Sequence, residues 1–116
     1  MKVLVVHRLV SVLDDIKSML SDDVNVFRYY SSGLDGLLAA RVEAFDLIIC
    51  GTDLPVITGF EVIRSLRTQS INASTTVVFV ADEINEKLTY LGKALGVAGV
   101  LQAEEVSTQL QAMMVK

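Results

Sequence analysis

Few side chains in this 116-residue chain could do chemistry, and they are an unusual set. The apolar run Val3–Val6 ends in His7-Arg8, an imidazole beside a guanidinium that stays charged at any relevant pH. A second apolar run ends in Cys50, followed by Gly51, Thr52 and Asp53, and a third is followed by Ala81-Asp82. A partly buried His7 would titrate near neutrality and could sense pH, although a lone histidine is more often a hydrogen-bonded loop residue. Cys50 is the only cysteine, so it forms no intramolecular disulfide. At the end of an apolar run, without an evident His partner, it suits core filling better than nucleophilic catalysis. Tyr29-Tyr30 could anchor a partner, since aromatic side chains concentrate at interface hot spots.

The elements that must position these residues follow from bulk composition and periodicity. The length suits one domain, residues 1–116, large enough for its own core. Hydrophobic residues make up 52% and charged residues 21%, and the mean hydropathy is +0.50. So few charges on a small domain imply either a sheet covered on both faces or apolar surface reserved for an interface. The net charge of −4, with no Lys/Arg-rich run, argues against direct nucleic-acid binding. No apolar segment approaches the length of a membrane span, and the single cysteine fits a reducing compartment, so a cytoplasmic location is expected.

Short Val/Ile-rich runs at Lys2–Val6, Val24–Phe27, Asp46–Cys50, Thr75–Val80 and Ala98–Leu101 read as strands buried on both faces. Helical stripes alternate with them. These are Val12/Leu13/Ile16/Met19/Leu20, Leu34/Leu37/Leu38/Val42, Phe60/Ile63/Leu66, Ile84/Leu88/Leu91/Leu95 and Val106/Leu110/Met113. Ser11-x-x-Asp14, Ser32-x-x-Asp35 and Thr58-x-x-Glu61 offer N-terminal caps, and Gly96 offers a left-handed helix end. Strict alternation predicts an α/β fold: a (βα)5 doubly wound, five-stranded parallel sheet with helices on both faces.

Within that pattern, Asp46 to Arg67 resembles the centre of a response-regulator receiver, with Pro55 and Gly59 at the family's spacing after the third strand. Ala94-Leu-Gly-Val-Ala-Gly-Val100 resembles the family's turn into its fifth strand. The resemblance covers essentially the whole chain and implies a flavodoxin/CheY-like sheet. It also implies a phosphorylation site, and that site is degenerate here. The family's acidic, Mg²⁺-holding pair maps to His7 and Arg8, and its phosphoacceptor Asp to Gly51. Its Thr/Ser maps to Ala81, its Lys to Ala103 and its aromatic switch residue to Val100. None of these supplies a carboxylate for a metal or a nucleophile, so no metal, cofactor or enzymatic activity is expected. Asp53, two residues beyond the acceptor position, is the one candidate for rescue, and a solvated loop acid is its expected role. Asp82 is expected near the start of the fourth helix.

Three expectations follow from the resemblance. Arg8 stands where the ion would be and could pair with Asp53, Asp82 and Glu104 in a permanent network. The domain would act as a phosphorylation-independent pseudo-receiver, a protein–protein interaction module in signalling or transcription control. Its partner would be a signalling protein or output domain, or a second copy, on the helix 4–strand 5–helix 5 face carrying Lys87, Tyr90, Lys93, Val100 and Gln109. The alternative is a sensor of small anions. Small residues at Gly51, Ala81 and Ala103 would open the crevice at the strand ends, with His7 and Arg8 at its rim.

Overall fold

Runs of Val, Ile and Leu with no polar alternation have apolar partners to meet on both faces, and they pair here into one parallel sheet. Its strands are β1 (Lys2–Val6), β2 (Val26–Tyr30), β3 (Leu47–Gly51), β4 (Thr76–Ala81) and β5 (Gly99–Gln102), in the order β2-β1-β3-β4-β5. The computed structural model describes residues 1–20 and 24–114. The helices are α1 (Val10–Met19), α2 (Gly33–Val42), α3 (Gly59–Leu66), α4 (Glu86–Ala94) and α5 (Val106–Met114), the last entered through a 3-10 turn at Ala103–Glu105.

Alternate strand residues supply two cores. Leu4, Val6, Ile48, Cys50, Val77 and Phe79 meet Ala40 of α2 and Val62, Ile63 and Leu66 of α3. Val3, Val5, Leu47, Ile49, Val78 and Val80 meet Val12 and Ile16 of α1 and Val106 and Leu110 of α5. Each such side chain contributes about 1.5–3 kcal/mol on burial. The doubly wound sheet is therefore the one expected from the sequence.

Several local expectations are corrected. Strand β2 starts later than Val24 and runs on to Tyr30, because pairing along the whole of β1 sets its register from Lys2↔Val26 to Val6↔Tyr30. Ser11 does not cap α1. The helix begins at Val10 with Leu9 as its cap residue and no side-chain cap, which leaves Ser11 inside the first turn. In α2 the stripe Leu34, Leu38 and Val42 faces outward, at 41%, 55% and 83% exposure. Of the expected stripe only Leu37 packs against the core; the rest of the inner face is made by Gly33, Gly36 and Ala40, with Gly36 letting the helix backbone lie against Val6 and Gly33 against Ile57. Ile84 lies outside α4, whose N-cap is Asn85 accepting from the Leu88 N–H. The other two caps form as expected, with Ser32 accepting from Asp35 N–H and Thr58 from Glu61 N–H. Gly96 has φ +69°, the left-handed conformation that ends α4.

Two polar groups tie the loops at the far end from the candidate site. Asn72, fully buried, donates to the carbonyls of Ala40 and Glu43 and accepts from the Phe45 N–H and the Thr75 hydroxyl. The Arg67 guanidinium donates to the carbonyls of Ala73, Thr75, Leu95 and Gly96, joining the ends of α3 and α4.

Candidate functional site

The C-terminal ends of β1, β3 and β4 bring His7, Gly51 and Ala81 to one edge of the sheet, where open parallel sheets form their crevices. His7 is a hydrogen-bonded residue of the loop after β1, and it is buried. It is 4% exposed, its backbone N–H donates to the Tyr30 carbonyl, and its own carbonyl accepts from the Tyr29 hydroxyl at 2.6 Å. Tyr29 is therefore spent within the fold. The Nδ1 of His7 accepts from the Leu9 N–H at 3.0 Å, which places the proton of the neutral ring on Nε2. Burial, and then the adjacent Arg8 charge, hold the His7 pKa below the ordinary histidine value, against the opposing pull of Asp82 and Asp53.

The ring has a close neighbour. A Cβ built on Gly51 would stand 2.8 Å from His7 Cδ2 and 3.3 Å from Leu54 Cδ2. The imidazole thus occupies the space into which a side chain at position 51 would grow, and the two residues fit each other as a pair. Gly59 holds the following loop: its N–H donates to the Thr52 carbonyl, and any Cβ there would meet the Gly51 carbonyl oxygen. The loop between them carries strain. Val56 has φ +75° and the Ile57 N–H reaches the Pro55 carbonyl at 3.0 Å, a γ-turn of the left-handed kind centred on a β-branched residue.

Arg8 crosses the mouth of the site. Its Nη2 lies 2.8 Å from Asp82 Oδ2 and its Nε 3.8 Å from Asp53 Oδ2. The expected network therefore forms with two of its three acids. Glu104 lies exposed in the 3-10 turn and does not pair with Arg8. Asp53 is 86% exposed and Asp82 58%, so each pair contributes about 0–1 kcal/mol and sets loop position more than stability. Asp82 does not cap α4; it is held by Arg8. Cys50 is fully buried and burial pushes its thiol up to about 12, so no thiolate forms near neutrality.

These residues do not fit Mg²⁺. The loop after β1 carries the buried His7 and a guanidinium already paired with both nearby carboxylates, and Gly51 offers only backbone. Among the described residues no group of three His, Cys, Asp or Glu side chains could hold an ion.

A crevice of about 430 Å³ opens beside this edge, between the β3–α3 and β4–α4 loops. Phe60, Ala81, Leu88 and Leu91 give it apolar walls, and Thr52, Asp53, Asp82, Glu83, Asn85 and Lys87 give it a polar rim. Its rim is acidic on balance, neither His7 nor Arg8 lines it, and Arg8 is occupied by Asp82 and Asp53, so an anion finds no free cationic receptor of the kind anticipated for His7 and Arg8. Glu83 was not singled out in the sequence; Asp82-Glu83 directly after a strand ending in Ala81 is the signal that marks it.

On the opposite side of α4, Tyr90 (72% exposed) and Lys93 border shallow grooves with Ile84 and Thr89 that continue to Val97 and Val100. Lys87 turns away to the crevice. Gln109 is engaged internally, accepting from the Gln102 N–H and donating to Glu105. Val100 is half-buried against the core that contains Phe79. Of the five anticipated interface residues, Tyr90, Lys93 and Val100 share a face. Among the described residues, no helix is long and apolar enough to cross a membrane.

A family model described as the response regulator receiver domain matches residues 3–114. The structure is similar to that of the Vibrio cholerae chemotaxis protein CheY4, with 29% identity, a TM-score of 0.80, and 97% of this chain and 98% of that one covered. Its fold is also that of the phosphorylated cyanobacterial phytochrome response regulator RcpA, at 17% identity and TM-score 0.82, covering 97% and 89%. Thermotoga maritima DrrB, an OmpR/PhoB homolog, is 19% identical with TM-score 0.80; the match covers 96% of this chain and 49% of that one. None of the curated proteins matches the chain.

Proposed function

The chain belongs to the response-regulator receiver family, and on that footing we propose that it is a receiver whose output does not depend on aspartyl phosphorylation. Receiver domains are signalling modules that act on other signalling proteins or on output domains, and this one would do so in a conformation set by its own residues. The observation that carries the reading is the packing of His7 against Gly51. On the mapping that the resemblance implies, with His7 and Arg8 at the acidic pair and Gly51 at the acceptor, the imidazole would fill the acceptor's space and the guanidinium would stand where an ion-binding acid is expected. Arg8 bridging to Asp53 and Asp82 would hold the β3–α3 and β4–α4 loops in one arrangement, which in a phosphorylated receiver the phosphoryl group would have to favour.

The partner surface in this reading is the α4–β5 face, with Tyr90 as the exposed aromatic anchor and Lys93 and Val100 beside it. A second copy of the chain or an output domain would dock there. The test joins chemistry to association. Intact mass measured after incubation with Mg²⁺ and a small-molecule phosphodonor should show no phosphate adduct. Sedimentation should show the same self-association with and without the donor, weakened about tenfold or more by Tyr90→Ala. An adduct on Asp53 would overturn the reading. Self-association that ignores Tyr90→Ala would remove the homodimer from it.

A further inference from the structure

We propose that the crevice between α3 and α4 is a binding site for a small organic cation, an amine or guanidine attached to an apolar body. The crevice has two kinds of lining. Phe60, Leu88, Leu91 and Ala81 form apolar walls around about 430 Å³, within the size range of small-molecule sites. Ala81 contributes by being short: a larger residue ending β4 would project into this space. Asp53, Asp82 and Glu83 stand on the rim.

Arg8 offsets the first two by direct ion pairs, while Glu83 makes no ion pair among the described residues. Lys87 sits on the same rim and makes none either. A ligand with an ammonium head would therefore meet Glu83 with Asp53 and Asp82 close by, and its body would cover apolar surface otherwise left wet. An anion of the same shape would lose on the first count and gain only Lys87. The crevice shares Asp53 and Asp82 with the site at the sheet edge, but the amine preference rests on Glu83, so loss of that preference and appearance of a phosphate adduct are separate outcomes.

The experiment compares 2-phenylethylamine, 2-phenylethanol and phenylacetate, which share one body and differ in the head, by amide shift titration of the ¹⁵N-labelled chain. The amine should saturate shifts at Phe60, Glu83, Leu88 and Leu91 with a Kd on the order of 1 mM, ordinary for about nine non-hydrogen atoms. The alcohol should bind about threefold to fivefold more weakly, and the carboxylate more weakly still. Glu83→Gln, a change on an exposed residue, should bring the amine down to the level of the alcohol. Equal affinity for all three heads, preference for the carboxylate, an unchanged amine affinity in Glu83→Gln, or absence of shifts in the crevice would each overturn the proposal.

Discussion

At the scale of single residues, His7 and Gly51 form a packed pair at the edge of the sheet. His7 fills space that Gly51 leaves, and its buried ring has a direct consequence for pH. The native state takes up a proton at His7 less readily than the unfolded chain does, because burial and Arg8 hold the pKa down. Between that lowered value and the ordinary one near 6.5, the unfolded state binds more protons. Stability is therefore full above about pH 6.5, falls as pH drops through that window, and stops falling from this cause below the native value. His7 is the only histidine in the chain, so the assignment is clean. Denaturant midpoints between about pH 5 and 7.5 should decline with acidity in the wild type and much less in His7→Asn, whose amide oxygen can accept from Leu9 N–H. Equal declines in both would remove His7 from the account. The same packing predicts that Gly51→Asp alone restores nothing. The new side chain meets His7, costing about 1–3 kcal/mol, and the variant should remain without a phosphate adduct by intact mass.

The elements explain why some of this was legible in the sequence and some was not. Val3–Val6, Leu47–Cys50 and Val77–Val80 are buried on both faces and leave a clear signal, whereas β2 and β5 lie at the sheet edges and, against the expectation, are not buried on both faces. The stripe of α2 misled because size, rather than hydrophobicity, decides which face packs closely: Gly36 and Ala40 go in, and Leu34, Leu38 and Val42 stay out. The Ser11 cap failed because α1 starts at Val10, after the extended residue Leu9, so Ser11 is already inside the helix and cannot take the non-helical cap position. The mapped positions His7, Arg8, Gly51 and Ala81 meet at one edge as the spacing implied, but the contact between His7 and Gly51 depends on three-dimensional packing that no spacing rule encodes. The β3–α3 loop supplies a prediction of its own. Val56 is 74% exposed and held at positive φ, so Val56→Gly relieves strain and loses little packing. It should raise the unfolding free energy by about 1 kcal/mol in urea titrations, and a loss of stability would show the turn to be unstrained.

For the whole molecule, the parallel sheet and its flanking helices are those of the receiver family, and in the proposed reading fixed groups stand where the family's switch would be. Arg8 pairs with Asp53 and Asp82 across the edge of the sheet, and in that reading these pairs close the way to a metal and a phosphoryl group. That arrangement leaves the α4–β5 face, with Tyr90 exposed, as the surface through which such a domain would act. The central claim concerns the edge itself, and it is tested most directly by titrating the ¹⁵N-labelled chain with Mg²⁺ and beryllofluoride, a phosphoryl mimic, while following amide shifts. The account predicts no saturable response at Gly51, Thr52, Asp53 or Ala81. Saturable, Mg²⁺-dependent shifts centred on Asp53 would mean that a displaced acceptor still works, and would contradict it.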